Sequence, residues 1–225
     1  MGSLTTHQHL LLMALLLFGS LTPSISRAGD VTVPFVGCPR EFGTGATPAP
    51  AGRPSVAVSL PPNEAQELAF YGLDGGGGTL APKGWSCVAS MGTAGLTFIV
   101  TPQLIGDSPS GISGPGLIQV TFDGGTGSGF TEIQDYLRKM YPSAGHEKTG
   151  HDKLVYLNDH LVTFETPPNA QGLGTSELLL PSALPVYGYL QYDASGDSSL
   201  TLVQLRLPKK LNWLTKAILE VPAIK

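Results

Sequence analysis

The apolar run at positions 10–18 constrains the rest of this chain most, because it decides where the chain folds. The run is nine residues long, carries no charge, and is followed by Pro23 and by small residues at alternate positions, Ser24, Ser26 and Ala28. This pattern is typical of a secretory signal peptide. The run is too short to cross a hydrocarbon core, which needs about 20 residues. We therefore predict a signal peptide over residues 1–28, cleaved after Ser26 or Ala28, and a secreted or periplasmic protein with no integral membrane segment afterwards.

The main alternative for this segment is a buried apolar strand or helix at the start of a domain. It stays open because the residues before the run include His7 and His9 but no Lys or Arg. The length of the run and the small residues after it favour the signal peptide. Its removal would take both of those histidines away from the folded protein.

Glycine and proline are abundant in this chain, and charged residues are scarce. There are 29 Gly and 19 Pro, and only 13% of residues are charged, about half the usual fraction. With 41% hydrophobic residues, the composition still supports an ordered core with many tight turns and long loops. The formal net charge of −4 and the scattered Lys and Arg argue against a nucleic-acid partner, which requires a concentrated basic face.

The two cysteines, Cys38 and Cys87, indicate one disulfide. In an oxidising compartment an even pair most simply forms a single bond, here closing a loop of about 50 residues. That loop contains the segment 43–54 and the glycine tract 75–78, both of which order poorly by themselves. The alternative is a redox or nucleophilic thiol pair, but the chain has no C-x-x-C spacing and no histidine beside either cysteine.

The apolar patterning predicts a mixture of strands and helices. Strands are predicted at 31–36 (an edge strand), 56–60, 85–90, 96–101, 117–122, 154–157, 161–166, 186–192 and 200–207. Helices are predicted from Asn63 to Gly72, over 131–141, and over 209–220, the last burying Leu211, Trp213, Leu214 and Ile218. Hairpin spacing then predicts an α+β fold: a mainly antiparallel sheet with two or three packed helices. We divide the chain into the signal peptide 1–28, a disulfide-tethered N-terminal arm and Pro/Gly-rich linker at 29–61, and a single globular domain at 62–225.

Two motifs occur in order along the chain: LAPKGWSC at 80–87 and TPPNAQGLGT at 166–175. Together they resemble a family of uncharacterised secreted bacterial proteins that share L-A-P-[KR]-G-W-x-C and T-P-x-N-x-x-G-L-G-T. The resemblance implies a bacterial envelope or extracellular setting and no named activity. The element order from Pro82 onward, with its terminal helix, is also similar to the PsbP-like α/β/α sandwich, which implies a fold and not a function.

The densest polar cluster lies at 145–153, GHEKTGHDK, with His160 shortly after it. His146, His151 and Asp152 could bind Zn²⁺ or act as acid and base if this segment folded back on itself. The spacing does not match H-E-x-x-H, and a polar loop between a helix and a hairpin is solvated by default. We therefore predict no metal and no cofactor, and keep these histidines and Asp152 as candidates for an alternative function, a secreted hydrolase.

A Gly-Asp-Ser tripeptide at 106–108 resembles a serine nucleophile motif, and it occurs again at 196–198. Attack by serine requires a positioned histidine. No histidine lies upstream of the copy at 106–108 once the signal peptide is removed, and the copy at 196–198 lies inside a predicted hairpin turn. The tripeptides therefore indicate turns.

Aromatic residues are the remaining candidates for ligand binding. Tyr187 and Tyr189 are two apart on a predicted strand and so share a face. If that face met solvent, the pair would form a stacking platform for a sugar or a peptide, whereas burial under a helix is the commoner outcome. Trp85 is a further candidate.

Since no coherent catalytic set emerges, we predict a non-catalytic binding or envelope-associated domain. Its partner would be a small molecule, a glycan or a protein. A purely structural envelope component is the third possibility, and it would show a flat apolar patch in place of a pocket.

Overall fold

The fold is built mostly from strands. The computed structural model describes residues 29–41, 46–47, 54–73, 76–93, 95–103, 112–123, 128–140, 152–170, 179–193 and 198–220. Within these ranges the strands are β1 (Gly29–Gly37), β2 (Arg40–Glu41), β3 (Ala46–Thr47), β4 (Ser55–Leu60), β5 (Leu68–Leu73), β6 (Gly76–Pro82), β7 (Ser86–Gly92), β8 (Gly95–Thr101), β9 (Gly116–Asp123), β10 (Lys153–Asn158), β11 (Leu161–Thr166), β12 (Val186–Asp193) and β13 (Ser199–Arg206). The helices are α1 (Pro62–Glu67), α2 (Ser128–Met140) and α3 (Thr215–Glu220), and a 3₁₀ segment, Lys209–Leu214, leads into α3.

The strands form two sheets. The smaller sheet has the order β4-β1-β5-β6, and the larger has the order β10-β11-β12-β13-β9-β8-β7-β2-β3. Every pair from β10 to β7 is antiparallel, whereas β1 with β5 and β2 with β7 are parallel. The architecture is that of a mixed α+β protein dominated by antiparallel sheet.

The larger sheet is a middle layer between two apolar cores. Along β7, Cys87 and Ala89 belong to one core and Val88 to the other, because successive side chains of a strand point to opposite faces. The first core also contains residues of the smaller sheet and of α3. The second contains Ile133 and Tyr136 of α2. Helices α2 and α3 therefore cover opposite faces of the larger sheet.

Several predicted elements are confirmed. The helix predicted over 131–141 is α2, and the strands predicted at 85–90 and 96–101 pair as β7 and β8. The two hairpins predicted in the second half of the chain are β10–β11 and β12–β13. In each case the pairing is local along the chain, so the apolar pattern was sufficient to predict it.

The helix predicted from Asn63 to Gly72 is wrong beyond Glu67. Helix α1 ends there, and the chain continues as β5 with all of its side chains buried. Apolar residues at 68, 69 and 72 fit one face of a helix, but they equally fit a strand that is covered on both sides. The helix start also differs, because Pro61 occupies the N-cap position and no side chain caps the helix.

The N-terminal segment belongs to the core and is not a tethered arm. Strand β1, predicted as an edge strand, lies between β4 and β5, and its Val33 is fully buried. The glycine tract, expected to order poorly, enters β6 from Gly76 onward and pairs with β5. These glycines are ordered by pairing with the strand that directly precedes them, which was predicted as part of a helix.

Cys38 and Cys87 form the predicted disulfide, with their Cα atoms 5.3 Å apart and a sequence separation of 49. Cys38 directly follows β1 and Cys87 lies in β7, so the bond links the smaller sheet to the larger one. The Cys38 N–H also donates to the carbonyl oxygen of Gly72, 2.9 Å away. Neither cysteine is therefore a free thiol in this structure.

The motif at 80–87 forms the connection from β6 to β7. Gly84 has a φ of 80° in this turn, a conformation that favours glycine. The buried hydroxyl of Tyr71 donates to the carbonyl of Pro82 over 2.8 Å and accepts the Trp85 N–H over 3.0 Å. One tyrosine on β5 therefore ties both ends of the turn together.

Trp213 was expected to be buried, and it is 47% exposed. The segment before α3 is a 3₁₀ helix, in which residues three apart share a face. Leu211, Leu214 and Ala217 therefore face the core, and Trp213 is turned towards solvent.

Candidate ligand-binding groove

A groove lies between α3 and one face of the larger sheet, near the edge formed by β10. Leu161 and Thr163 are two apart on β11, and Tyr189 and Gln191 are two apart on β12, so each pair points to one face. The antiparallel register places Leu161 opposite Gln191 and Thr163 opposite Tyr189. These four side chains therefore form one continuous patch.

Helix α3 supplies the other wall of the groove. Lys216, Leu219 and Glu220 lie at i, i+3 and i+4 and share one face of the helix. On the opposite face, Ala217 and Ile218 are buried in the core. That burial holds α3 against the sheet and leaves its other face along the groove.

The groove has a volume of about 490 Å³. It is lined by Leu157, Leu161, Thr163, Tyr189, Gln191, Lys216, Leu219 and Glu220. Tyr189 is 8% exposed and forms the floor, whereas Leu157 is 59% exposed and forms the rim. The groove thus has apolar walls and a few polar groups, a composition typical of small-molecule sites.

Two opposite charges stand at the rim on the α3 side. Lys216 Nζ lies 3.8 Å from Glu220 Oε1, and both side chains are largely exposed. Such an exposed pair contributes little to stability. Both groups are therefore able to contact a charged ligand at small cost to the fold.

The predicted aromatic candidates lie in different places. Tyr189 lies in the groove, whereas Tyr187 is half-buried and does not line it. Trp85 is half-buried against the core between the two sheets. Of the predicted pair of tyrosines, only Tyr189 therefore contributes a ring to the groove. A role in binding for Tyr187, Tyr189 or Trp85 stays a prediction.

The described members of the histidine cluster are separated. His146 and His151 lie outside the described residues. Asp152 precedes β10 and accepts a hydrogen bond from the hydroxyl of Thr166, whereas exposed His160 lies in the turn after β10. A strand of that length, at about 3.3 Å per residue, places Asp152 and His160 roughly 20 Å apart. These two residues do not form a joint acid–base pair.

The Gly-Asp-Ser tripeptide at 106–108 and the first two residues of the copy at 196–198 also lie outside the described residues. In the part of the chain that the structure describes, no group of three or more His, Cys, Asp or Glu could hold a metal ion. No described helix is long and apolar enough to cross a membrane.

Sequence patterns missed most of the groove. Leu161, Lys216 and Leu219 were not predicted as functional residues. The hairpins predict that β11 and β12 are strands, but the position of α3 across them depends on packing between distant parts of the chain. Comparison with protein-family models, with curated proteins and with solved structures finds no match for this chain.

Proposed function

We propose that this protein is a non-catalytic binding domain that takes a small amphipathic molecule into the groove between α3 and β10–β12. The observation that carries the proposal is the groove itself, with a volume of about 490 Å³ and apolar walls beside a charged rim. This size lies within the range of about 300–1,000 Å³ that is usual for small-molecule sites.

The chemistry of the lining selects the class of ligand. Leu157, Leu161 and Leu219 present apolar surface to an apolar body of the ligand, and burial of this surface would supply most of the binding free energy. Gln191 and Lys216 lie at the open side and can orient a polar or anionic head group.

The setting that we propose for this binding is extracellular or periplasmic. The disulfide supports it, because such bonds persist in oxidising compartments. The signal peptide, its cleavage after Ser26 or Ala28, and the resemblance to secreted bacterial proteins belong to the same proposal. The placement of α2 and α3 on opposite faces of one sheet is compatible with a PsbP-like α/β/α sandwich, to which the smaller sheet would be an addition.

The test uses a fluorescent amphipathic anion, 1-anilinonaphthalene-8-sulfonate, titrated into the folded protein. The Leu157→Ser variant removes apolar surface from the rim and is expected to weaken binding about fivefold, which corresponds to a loss of roughly 1 kcal/mol. Val155→Ser is the matched control, because Val155 is 56% exposed on the same strand and does not line the groove.

Equal loss of affinity in both variants would mean that the dye binds the exposed edge of the sheet and not the groove. Absence of binding to the native protein would remove the proposal. Native mass spectrometry of the exported protein is the complementary measurement, since it reports the cleavage site and any retained small molecule together.

A further inference from the structure

A buried cation lies at one end of the larger sheet and does not line the groove. Arg206, the last residue of β13, is fully buried. Its Nε donates to the carbonyl of Gly114 over 2.6 Å and its Nη1 to that of Leu180 over 2.5 Å. Its Nη2 donates to the carbonyl of Ile112. The guanidinium therefore ties two separate segments to the end of the sheet.

None of these three partners carries a charge that could compensate that of Arg206. Carbonyl oxygens accept hydrogen bonds but carry no net charge, and no salt bridge to Arg206 occurs among the described residues. Burial lowers the pKa of Arg206 because the charged form loses its hydration. A buried charge in a protein is ordinarily paired with an opposite one.

A small cavity lies beside the guanidinium. It has a volume of about 20 Å³, and its polar lining includes Thr166, Gln204 and Arg206. Leu179, Leu184 and Val186 are among its apolar lining residues, which the segment before β12 and β12 itself supply. A space of this size holds one water molecule or one ion of similar radius.

Two side chains at the cavity, Gln204 and Arg206, have hydrogen-bond donors left over. Gln204 is 1% exposed, and its Nε2 has no hydrogen-bond partner within the described part of the chain. A guanidinium carries five N–H donors, and the three carbonyls account for three of those on Arg206. The hydroxyl of Thr166 is directed to Asp152 and is not available to the cavity.

We propose that this cavity binds one monatomic anion of the size of chloride, held between Arg206 and Gln204. An anion accepts hydrogen bonds from the donors left over on both side chains, and it neutralises the buried guanidinium. A water molecule would satisfy donors but would leave the charge unpaired, so the anion is favoured. The ion would stabilise the packing of the two segments that Arg206 holds at the end of the sheet.

The test compares thermal unfolding in chloride and in gluconate at equal ionic strength, since gluconate is too large for the cavity. With a dissociation constant of about 40 mM, exchange of gluconate for about 300 mM chloride would raise Tm by roughly 4 °C. The Gln204→Leu variant removes the amide donor and should lose this chloride-specific rise. Gln119→Leu is the matched control, because Gln119 is also buried and has a side-chain atom without a partner among the described residues. Gln119 lies opposite Val203, the neighbour of Gln204 on β13, so its side chain points to the other face of the sheet. It should keep the full rise.

A bromide soak of crystals of the native protein provides a test that does not depend on variants. An anomalous peak beside Arg206 would support the proposal. A cavity that holds only water, or a carboxylate of the chain itself, would overturn it. Equal Tm values of the native protein in chloride and gluconate would overturn it as well.

Discussion

Reduction of the Cys38–Cys87 disulfide is expected to lower the free energy of unfolding by about 4 kcal/mol. The bond closes a loop across 49 positions, and the loss of loop-closure entropy in the unfolded chain corresponds to roughly 4 kcal/mol at 25 °C. The loop carries β4, α1, β5 and β6, which is most of the smaller sheet. Small domains have a net stability of about 5–15 kcal/mol, so this loss is a large share of the total.

Urea unfolding of the oxidised and the chemically reduced native protein measures this difference directly. Reduction leaves both sulfur atoms in place, so the comparison isolates the covalent link. With a slope of roughly 2 kcal/mol per molar urea, the midpoint should fall by about 2 M. The Cys38→Ala, Cys87→Ala double variant should lose a further ~1–2 kcal/mol, because it also deletes two buried sulfur atoms.

Equal midpoints for the oxidised and reduced proteins would refute this reasoning. They would show that the unfolded chain gains no freedom when the loop opens. A steeper urea dependence of the reduced protein is expected in addition, since an open unfolded chain exposes more surface.

Two further predictions concern single side chains. Gly188→Ala should lower the free energy of unfolding by about 1–3 kcal/mol through overpacking, because a Cβ there would lie 2.4 Å from both Phe164 Cζ and the Val203 carbonyl oxygen. Gly29→Ala is the control in the same urea assay, because a Cβ at that position would meet nothing within 4 Å. Equal urea midpoints for the two variants would contradict the packing argument. Tyr71→Phe should cost about 1–3 kcal/mol at neutral pH, because a buried N–H and a buried carbonyl lose their partner. Burial raises the pKa of Tyr71, so the folded state holds the phenol proton more tightly than the unfolded chain does. The contribution of the Tyr71 hydroxyl to stability is therefore complete below the unfolded pKa of about 10 and is lost as the pH rises above it. The free energy of unfolding, measured from neutral to alkaline pH, should therefore fall less steeply in the Phe variant than in the native protein. Parallel pH curves for the two proteins would contradict the role assigned to the Tyr71 hydroxyl.

The predicted hairpins and α2 succeeded because their information is local. In β10–β11 and β12–β13 the partner strand follows after a short turn, so alternation and turn residues together specify the pair. The helix α2 shows the period expected of a helix with one covered face. Its Ile133 is fully buried, as the i, i+4 pattern predicts.

The helix predicted from Asn63 to Gly72 was wrong beyond Glu67 for the opposite reason. An apolar run of this length satisfies a helix and a fully buried strand alike. Residues 68–73 form a strand because they pair with β1 and β6, which lie on either side of β5 in the smaller sheet. Once the segment at 68–73 is a strand, it also orders the glycines of β6, which follow it after two residues and pair with it.

The sequence by itself determined the pairing of the two cysteines, the mixed α+β class and the main antiparallel hairpins, since each depends on neighbours along the chain or on a count of cysteines. Tertiary structure alone decided that the N-terminal strands enter the core, that α3 faces Tyr189 across a groove, and that Arg206 is buried beside Gln204. Those outcomes depend on which elements cover each face of the larger sheet. Which element packs on a given face is decided only when the whole chain is folded, and the spacing of apolar residues within one segment does not carry this information.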